Sequence, residues 1–417
     1  MKTALVARAA AHFALTLALL AACAPVGALA QSRRLPPQQP QKKNQRPGDK
    51  PETEQQEPVP PDIVNDKEQE VVKVDTKIVN IEAVVINKKT KTIVMGLKKE
   101  QFAIFEDGVQ KEVTNFATPE APITVAVILE YSKLGQVLGF YGSGGQEPGT
   151  YEVLRPTAMF LQQFVRPPQD YVSVIAYDMR PTPLTDFTND PGRIGAVINL
   201  LLRNQPVSRE ANLFDALKLT LVGGRGDSVV LENSEARTSE YAGMASLQGR
   251  RKAIFLVSSG VDTFSKINYD QARKIVQNAG VPIYIIGTGE MFMKKYGDQM
   301  GAQDGLDGST SPGRMTMLQA KNTLQTLANE TGGAYFPVTF PGELPTTLQA
   351  INAMMRSQYS LAFRPDELRR DGKRRKIEVK VDIDGDGKYD EKEFIVRSRQ
   401  YYNPPAEAKP ATVSEKK

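Results

Sequence analysis

The chain has 417 residues, a net charge of +5 and a hydrophobic content of 40%. That length holds two ordinary domains or one large one with an appendage, and the modest apolar share implies that part of it does not pack. A charge this small provides no concentrated basic footprint of the kind nucleic acid requires, so the expected partners exclude it.

The first thirty residues read as an export signal. Lys2 and Arg8 give a positive start, Ala9 to Ala22 an apolar stretch too short to span a bilayer, and Ala28-Leu29-Ala30 a small-residue cleavage site. Cys23, the one cysteine, follows Leu20-Ala21-Ala22 and fits two readings. Either it belongs to a bacterial lipobox and is lipidated, or it is a chance cysteine in a signal cut after Ala30. Membrane contact is expected only through such a lipid anchor. The one histidine, His12, lies in the same segment. The mature chain is therefore expected to have no imidazole and no thiol, which excludes Ser-His-Asp and Cys-His catalysis, thiol redox work, disulfides and zinc sites built on His or Cys.

Residues 31–70 are rich in Pro, Gln and charge and contain no aromatic residue. They cannot bury enough apolar surface to offset ordering entropy, and the expectation is a disordered spacer. From Val71 the period is two. "VKVDTKIVNIEAVVI" reads as a half-buried strand followed by the polar turn Asn87-Lys88-Lys89-Thr90, and "FAIFEDGVQKEVTNF" as two short strands around Glu106-Asp107-Gly108. This small β unit occupies 71–120.

The pattern then changes. "ITVAVILE", "YVSVIAYD", "KAIFLVSS" and "VPIYIIGTG" are near-continuous apolar runs of strand length, as in parallel strands buried on both faces. Helical stretches lie between them, including "GRIGAVINLLLRN", "NLFDALKLTLV", "YDQARKIVQNAG" and "LQAKNTLQTLANETGG", the last two ending in Gly at a helix-stop position. Strand and helix alternating over 121–358 predict an α/β fold with a doubly wound, mostly parallel sheet of Rossmann-like kind. After "LPTTLQAINAMMRSQ", a closing helix, alternation returns in "YSLAFRP", "RKIEVKVDI" and "EFIVRSRQYY" over 359–403. These strands have no core of their own, and the economical arrangement pairs them with the 71–120 strands in one small β-sandwich flanking the α/β domain. Residues 404–417 read as a disordered tail.

In this order the motifs resemble a von Willebrand factor A (VWA) domain, and more closely the exported VWFA-related domain family catalogued in acidobacteria. "LKKEQFAIFEDGVQKEVTNF" is similar to that family's leader strands, and "NLFDAL", "RKAIFLVSSGVDT", "ETGGAYF" and "DGKRRKIEVKV" follow in the family's order. The resemblance covers roughly residues 70–403. It implies a metal-ion-dependent adhesion site at the C-terminal ends of the parallel strands, with D-x-S-x-S, a threonine and a distal aspartate holding Mg²⁺ through hard oxygen ligands. Here the pattern is degenerate. Glu130 stands for the first aspartate, Ser132 is kept, Leu134 replaces the second serine, Ala211 the threonine and Ser259 the distal aspartate, while Asp262 follows three residues on. Two readings follow: a rearranged site on Glu130, Ser132 and Asp262, or an inherited scaffold without metal. The second is preferred, because too few oxygens remain for Mg²⁺ and Lys133 sets an ammonium beside them.

"DIDGDGKYDEKE" fits the calcium-loop template. Asp382, Asp384 and Asp386 would be side-chain ligands, Lys388 a carbonyl ligand, Asp390 a direct or water-mediated contact and Glu393 a bidentate carboxylate, so Ca²⁺ is the expected cofactor. Period-two flanks set this loop at a hairpin tip, and the alternative is an ordinary acidic turn. "RGDS" (225–228) is read as a chance tetrapeptide, and "RRDGKRRK" (369–376) as a solvated basic turn, the alternative being contact with anionic lipid headgroups or polysaccharide. The expected function is a non-enzymatic exported protein of the bacterial cell envelope, periplasmic, outer-membrane or extracellular, that mediates protein–protein interaction or adhesion. The rivals are a hydrolase using paired carboxylates such as Glu130 and Asp262, and a purely structural envelope scaffold.

Overall fold

The computed structural model describes residues 78–134, 158, 161, 169–204, 206, 208–225, 240–247, 250–298, 300–301, 312–365 and 373–404. The first thirty residues with His12 and Cys23, the 31–70 segment, the RGDS positions after Arg225, residues 369–372 of the basic turn and the tail beyond 404 lie outside them.

The apolar runs form one six-stranded sheet. Its strands are β5 (Ile123–Glu130), β6 (Tyr171–Tyr177), β7 (Pro181–Thr188), β10 (Arg251–Ser258), β11 (Ile283–Gly287) and β12 (Ala334–Pro337), in spatial order β12-β11-β10-β5-β6-β7. Every neighbouring pair is parallel except β6 with β7. Two short strands, β8 (Gly224–Arg225) and β9 (Glu240–Tyr241), pair with each other outside this sheet. Side chains alternate across a strand, so each run feeds two cores. Val125, Val127, Phe255, Val257 and Ile286 point into one cluster with helices α1 (Pro191–Arg203) and α6 (Leu344–Arg356). Ala126, Ile128, Ile254, Leu256 and Ile285 point into the other, with α2 (Leu213–Val222), α3 (Tyr269–Ala279) and α5 (Arg314–Thr331). Burial on both faces is why these strands read as continuous apolar runs rather than as alternating ones.

Two elements escape the sequence pattern. β7 begins "PTP", which argues against a central strand, and it sits at the sheet edge with β6 as its one neighbour. At an edge, prolines need not donate to a second ladder. Helix α4 (Gly289–Tyr296) is short and follows β11 directly.

The terminal strands build two further four-stranded sheets. One orders β15-β1-β13-β4, from β1 (Val79–Asn87), β4 (Asn115–Ala117), β13 (Tyr359–Phe363) and β15 (Phe394–Ser398); the other orders β16-β14-β2-β3, from β2 (Phe102–Glu106), β3 (Val109–Lys111), β14 (Arg375–Val381) and β16 (Tyr401–Tyr402). Ile81, Ala83, Val85, Tyr359 and Phe363 of the first share one apolar cluster with Phe102, Ile104, Ile377, Val379 and Val381 of the second. "FAIFEDGVQKEVTNF" thus yields three strands, not two. The turn between β2 and β3 uses Asp107 at φ 48° and Gly108 at φ 83°, the left-handed pair a tight hairpin requires.

The 382–393 loop is not a hairpin tip. β14 pairs with β2 and β16, whereas β15 pairs with β1, so the loop crosses from one sheet to the other. Period-two flanks reveal two strands but not which sheet each joins.

Candidate functional site

Parallel strands present their C-terminal ends together, and an open α/β sheet offers its crevice there. Glu130 ends β5, Tyr177 ends β6 opposite it in register, and Ser258 ends β10. The Glu130 carboxylate accepts from five donors. Oε1 receives the hydroxyls of Ser132 and Ser259, both at 3.1 Å. Oε2 receives the Ser259 N–H at 2.6 Å, the Ser258 hydroxyl at 3.2 Å and the Tyr177 hydroxyl at 3.4 Å. Tyr177 also donates to Ser258 Oγ at 2.7 Å, which in turn accepts the Gly260 N–H at 2.8 Å. Burial pushes the Glu130 carboxyl above its ordinary range, and these donors oppose the shift. Tyr177 is pushed up by burial first and by the Glu130 charge second.

This geometry tests whether the residues fit Mg²⁺. A cation needs free lone pairs, and here donors converge on both carboxylate oxygens. The methylene that distinguishes glutamate from aspartate carries the carboxylate to the Ser259 N–H. Leu134 and Ala211 are buried in the apolar cluster that contains Ile128 and Leu256, and neither offers a side-chain oxygen. Ser132 and Ser259 are buried against Glu130, while Lys133 is exposed. Both oxygens of Glu130 are thus engaged by the chain's own donors.

Asp262 turns elsewhere. Its Oδ1 accepts the Ser265 hydroxyl at 2.5 Å and the Phe214 N–H at 3.2 Å. Phe214 is the second residue of α2, whose N-cap Asn212 forms no side-chain cap bond of its own. Asp262 therefore caps that helix from across the loop, where a carboxylate meets unpaired N–H groups and the positive helix end. Burial raises its pKa and the Ser265 hydroxyl and backbone donors lower it. Its hydrogen bonds run to α2 and to Ser265, and those of Glu130 to Ser132, Ser258, Ser259 and Tyr177.

Tyr177 and Ser258 belong to the network and sequence reasoning missed both. The available signal was register: Tyr177 closes a strand opposite Glu130. Around the network the surface is partly apolar. Met179 and Phe264, 43% and 53% exposed, flank Asn212, whose amide donates to the Met179 carbonyl at 3.1 Å.

In the 382–393 loop, carboxylate oxygens of Asp382, Asp384 and Asp390 lie within 4.8 Å of one another. Backbone N–H groups of Gly385 and Gly387 donate to Asp382, Asp386 N–H to Asp384, and Ile383 N–H to Asp390. Gly385 and Gly387 take φ 78° and 83°, which lets the chain wrap around the acids. Three hard oxygens at one point suit Ca²⁺. Asp386 and Glu393 lie outside this set; Asp386 accepts the Lys388 N–H at 2.8 Å and lies 3.4 Å from its ammonium. The described part of the basic turn is engaged too, with Arg375 paired to Asp107 at 3.4 Å and Arg374 stacked over Tyr401 at 4.3 Å.

Sheet order and the residues gathered at its strand ends make this an α/β unit with a mostly parallel six-stranded sheet. No protein-family model matches the chain, and no curated protein matches it. Among solved structures it is similar to the PilB minor pilin from Streptococcus sanguinis, with TM-score 0.37, 13% identity, 57% of this chain and 62% of that one covered. It is also similar to proximal thread matrix protein 1 from the mussel byssus (TM-score 0.35, 12% identity, 60% and 51% covered). A third is the vWF domain of the type V pili tip protein Mfa5 from Porphyromonas gingivalis (TM-score 0.35, 14% identity, 57% and 95% covered). The match spans under two thirds of the pilin and about half of the thread matrix protein. Among the described residues no helix is long and apolar enough to cross a membrane.

Proposed function

We propose that this is a non-enzymatic, exported protein of the bacterial envelope whose VWA-like domain binds a protein partner through its strand-end face without Mg²⁺. In this reading the α/β domain is doubly wound, the terminal strands form a β-sandwich beside it, and the adhesion-type metal site is degenerate. One observation carries it: both oxygens of Glu130 are engaged by the chain's own donors, while Met179 and Phe264 stand exposed nearby. A face closed in this way offers shape and apolar contact, the usual core of a protein interface. It offers no open coordination position. The same engagement argues against a carboxylate pair acting in hydrolysis, since Glu130 and Asp262 serve separate hydrogen-bond sets. Calcium at Asp382, Asp384 and Asp390 would brace the crossover between the sandwich sheets and take no part in the strand-end face.

Capture from envelope extract, compared between the wild type and a Met179→Asp, Phe264→Asp double variant, tests the reading. A partner retained in chelator and lost from the double variant supports it. A partner that needs Mg²⁺, or that the double variant holds equally well, contradicts it.

A further inference from the structure

The chain passes between the sandwich and the α/β sheet at two described crossings, from β4 into β5 near Ala121 and from α6 into β13 at Ser357-Gln358. Arg251, at the start of β10 and 3% exposed, ties both together. Its Nε donates to the Ala121 carbonyl at 2.8 Å, and its Nη1 to the Arg356 and Gln358 carbonyls, both at 3.3 Å. The Gln358 side chain is fully buried, with Nε2 donating to the Tyr284 hydroxyl at 2.9 Å and Oε1 lacking a hydrogen-bond partner.

Against this clamp lies Glu82 of β1. It sits on the sheet face opposite Ile81, Ala83 and Val85, directly across from Ser360 of β13, whose hydroxyl donates to it at 2.6 Å. The groups facing it are Ser360 from β13, Arg251 and Lys252 from β10, and Tyr284 from β11. Further out are Arg397 of β15, donating to the Gly333 carbonyl, and Arg356 of α6, paired with Asp170 at 2.7 Å. Each of the three guanidinium nitrogens of Arg251 donates to a carbonyl at a crossing. An ionised carboxylate beside it competes for those donors, and a neutral one does not.

We propose that Glu82 is a proton-controlled latch on the two crossings: neutral, it leaves Arg251 on the crossing carbonyls; ionised, it draws Arg251 and Lys252 towards itself and loosens them. Burial raises its carboxyl to about 7, while the Ser360 bond and the charges of Arg251 and Lys252 hold it from rising further. In the folded chain the tight form therefore prevails below about 7 and is lost as pH rises through it, and the stability it contributes, full below the ordinary glutamate range, is lost over the same rise.

Amide hydrogen exchange on the full mature chain at about pH 6 and about pH 8, corrected for intrinsic rates, tests this. Amides of 118–124 and 356–363 should exchange on the order of tenfold faster at the higher pH, with the middle of β10 unchanged. Glu82→Gln should abolish the difference. Ser360→Ala, which removes a bond favouring the charged form, should move the midpoint upward. Equal exchange at both pH values in the wild type, or an undiminished difference in Glu82→Gln, overturns the latch. Should Glu82→Gln fail to fold, an unshifted midpoint in Ser360→Ala overturns it instead.

Discussion

Glu130→Ala removes the acceptor on which five donors converge. Not all are stranded. Ser258 Oγ keeps its contacts with Tyr177 and the Gly260 N–H, and Ser259 Oγ still accepts the Val261 N–H at 3.3 Å. The Ser259 N–H is different, because a backbone donor cannot rotate away. A buried unsatisfied group costs about 1–3 kcal/mol, and each lost methylene about 0.8 kcal/mol, so the substitution should destabilise by about 3 kcal/mol. Glu130→Gln keeps the volume and an oxygen for the Ser259 N–H, and its amide can face hydroxyls that turn to accept. It should cost about 1 kcal/mol. Burial raises the wild-type carboxyl, so stability owed to its protonated form is lost as pH rises through the folded value, and Glu130→Gln should gain on the wild type towards alkaline pH. Urea unfolding at several pH values reads all three effects. Equal stability of the Ala and Gln variants would refute the reasoning, because the network would then carry no weight.

Calcium should raise the melting temperature of the full chain and equal Mg²⁺ should not, with the effect lost in Asp390→Asn and retained in Glu393→Gln, because Glu393 lies outside the carboxylate cluster; identical melts in calcium and chelator would make the loop an acidic turn. Ala211→Thr should destabilise by about 1–3 kcal/mol in chemical denaturation, because Ala211 is fully buried. Asp262→Ala should cost about 1 kcal/mol and speed amide exchange in the first turn of α2, as loss of a cap does. Gly332→Ala should destabilise more than either, since φ is 82° and a Cβ would lie 2.4 Å from the Ser398 carbonyl carbon.

The sheet was legible because burial on both faces writes itself as unbroken runs such as "KAIFLVSS". β7 was not, because its edge position lets prolines and polar residues stand where a central strand would refuse them. The terminal strands announced their period but not their partners, since register between β1 and β15, some three hundred residues apart, depends on tertiary packing. At the strand ends the sequence picked out Glu130, Ser132, Ser259 and Asp262. It did not reveal that Glu130 uses its extra reach to bind the Ser259 N–H, or that Asp262 turns to α2, because both depend on loop paths. Asp386 and Glu393 satisfied a spacing rule without joining Asp382, Asp384 and Asp390.

Calorimetric titration of Mg²⁺ into the wild-type chain and into Ser132→Ala, with calcium saturating the 382–393 loop, addresses the closed strand-end site most directly. With Glu130 already holding the hydroxyls of Ser132 and Ser259 and the Ser259 N–H, the two proteins should give the same negligible heat. Saturable Mg²⁺ binding by the wild type that disappears in Ser132→Ala would contradict the account.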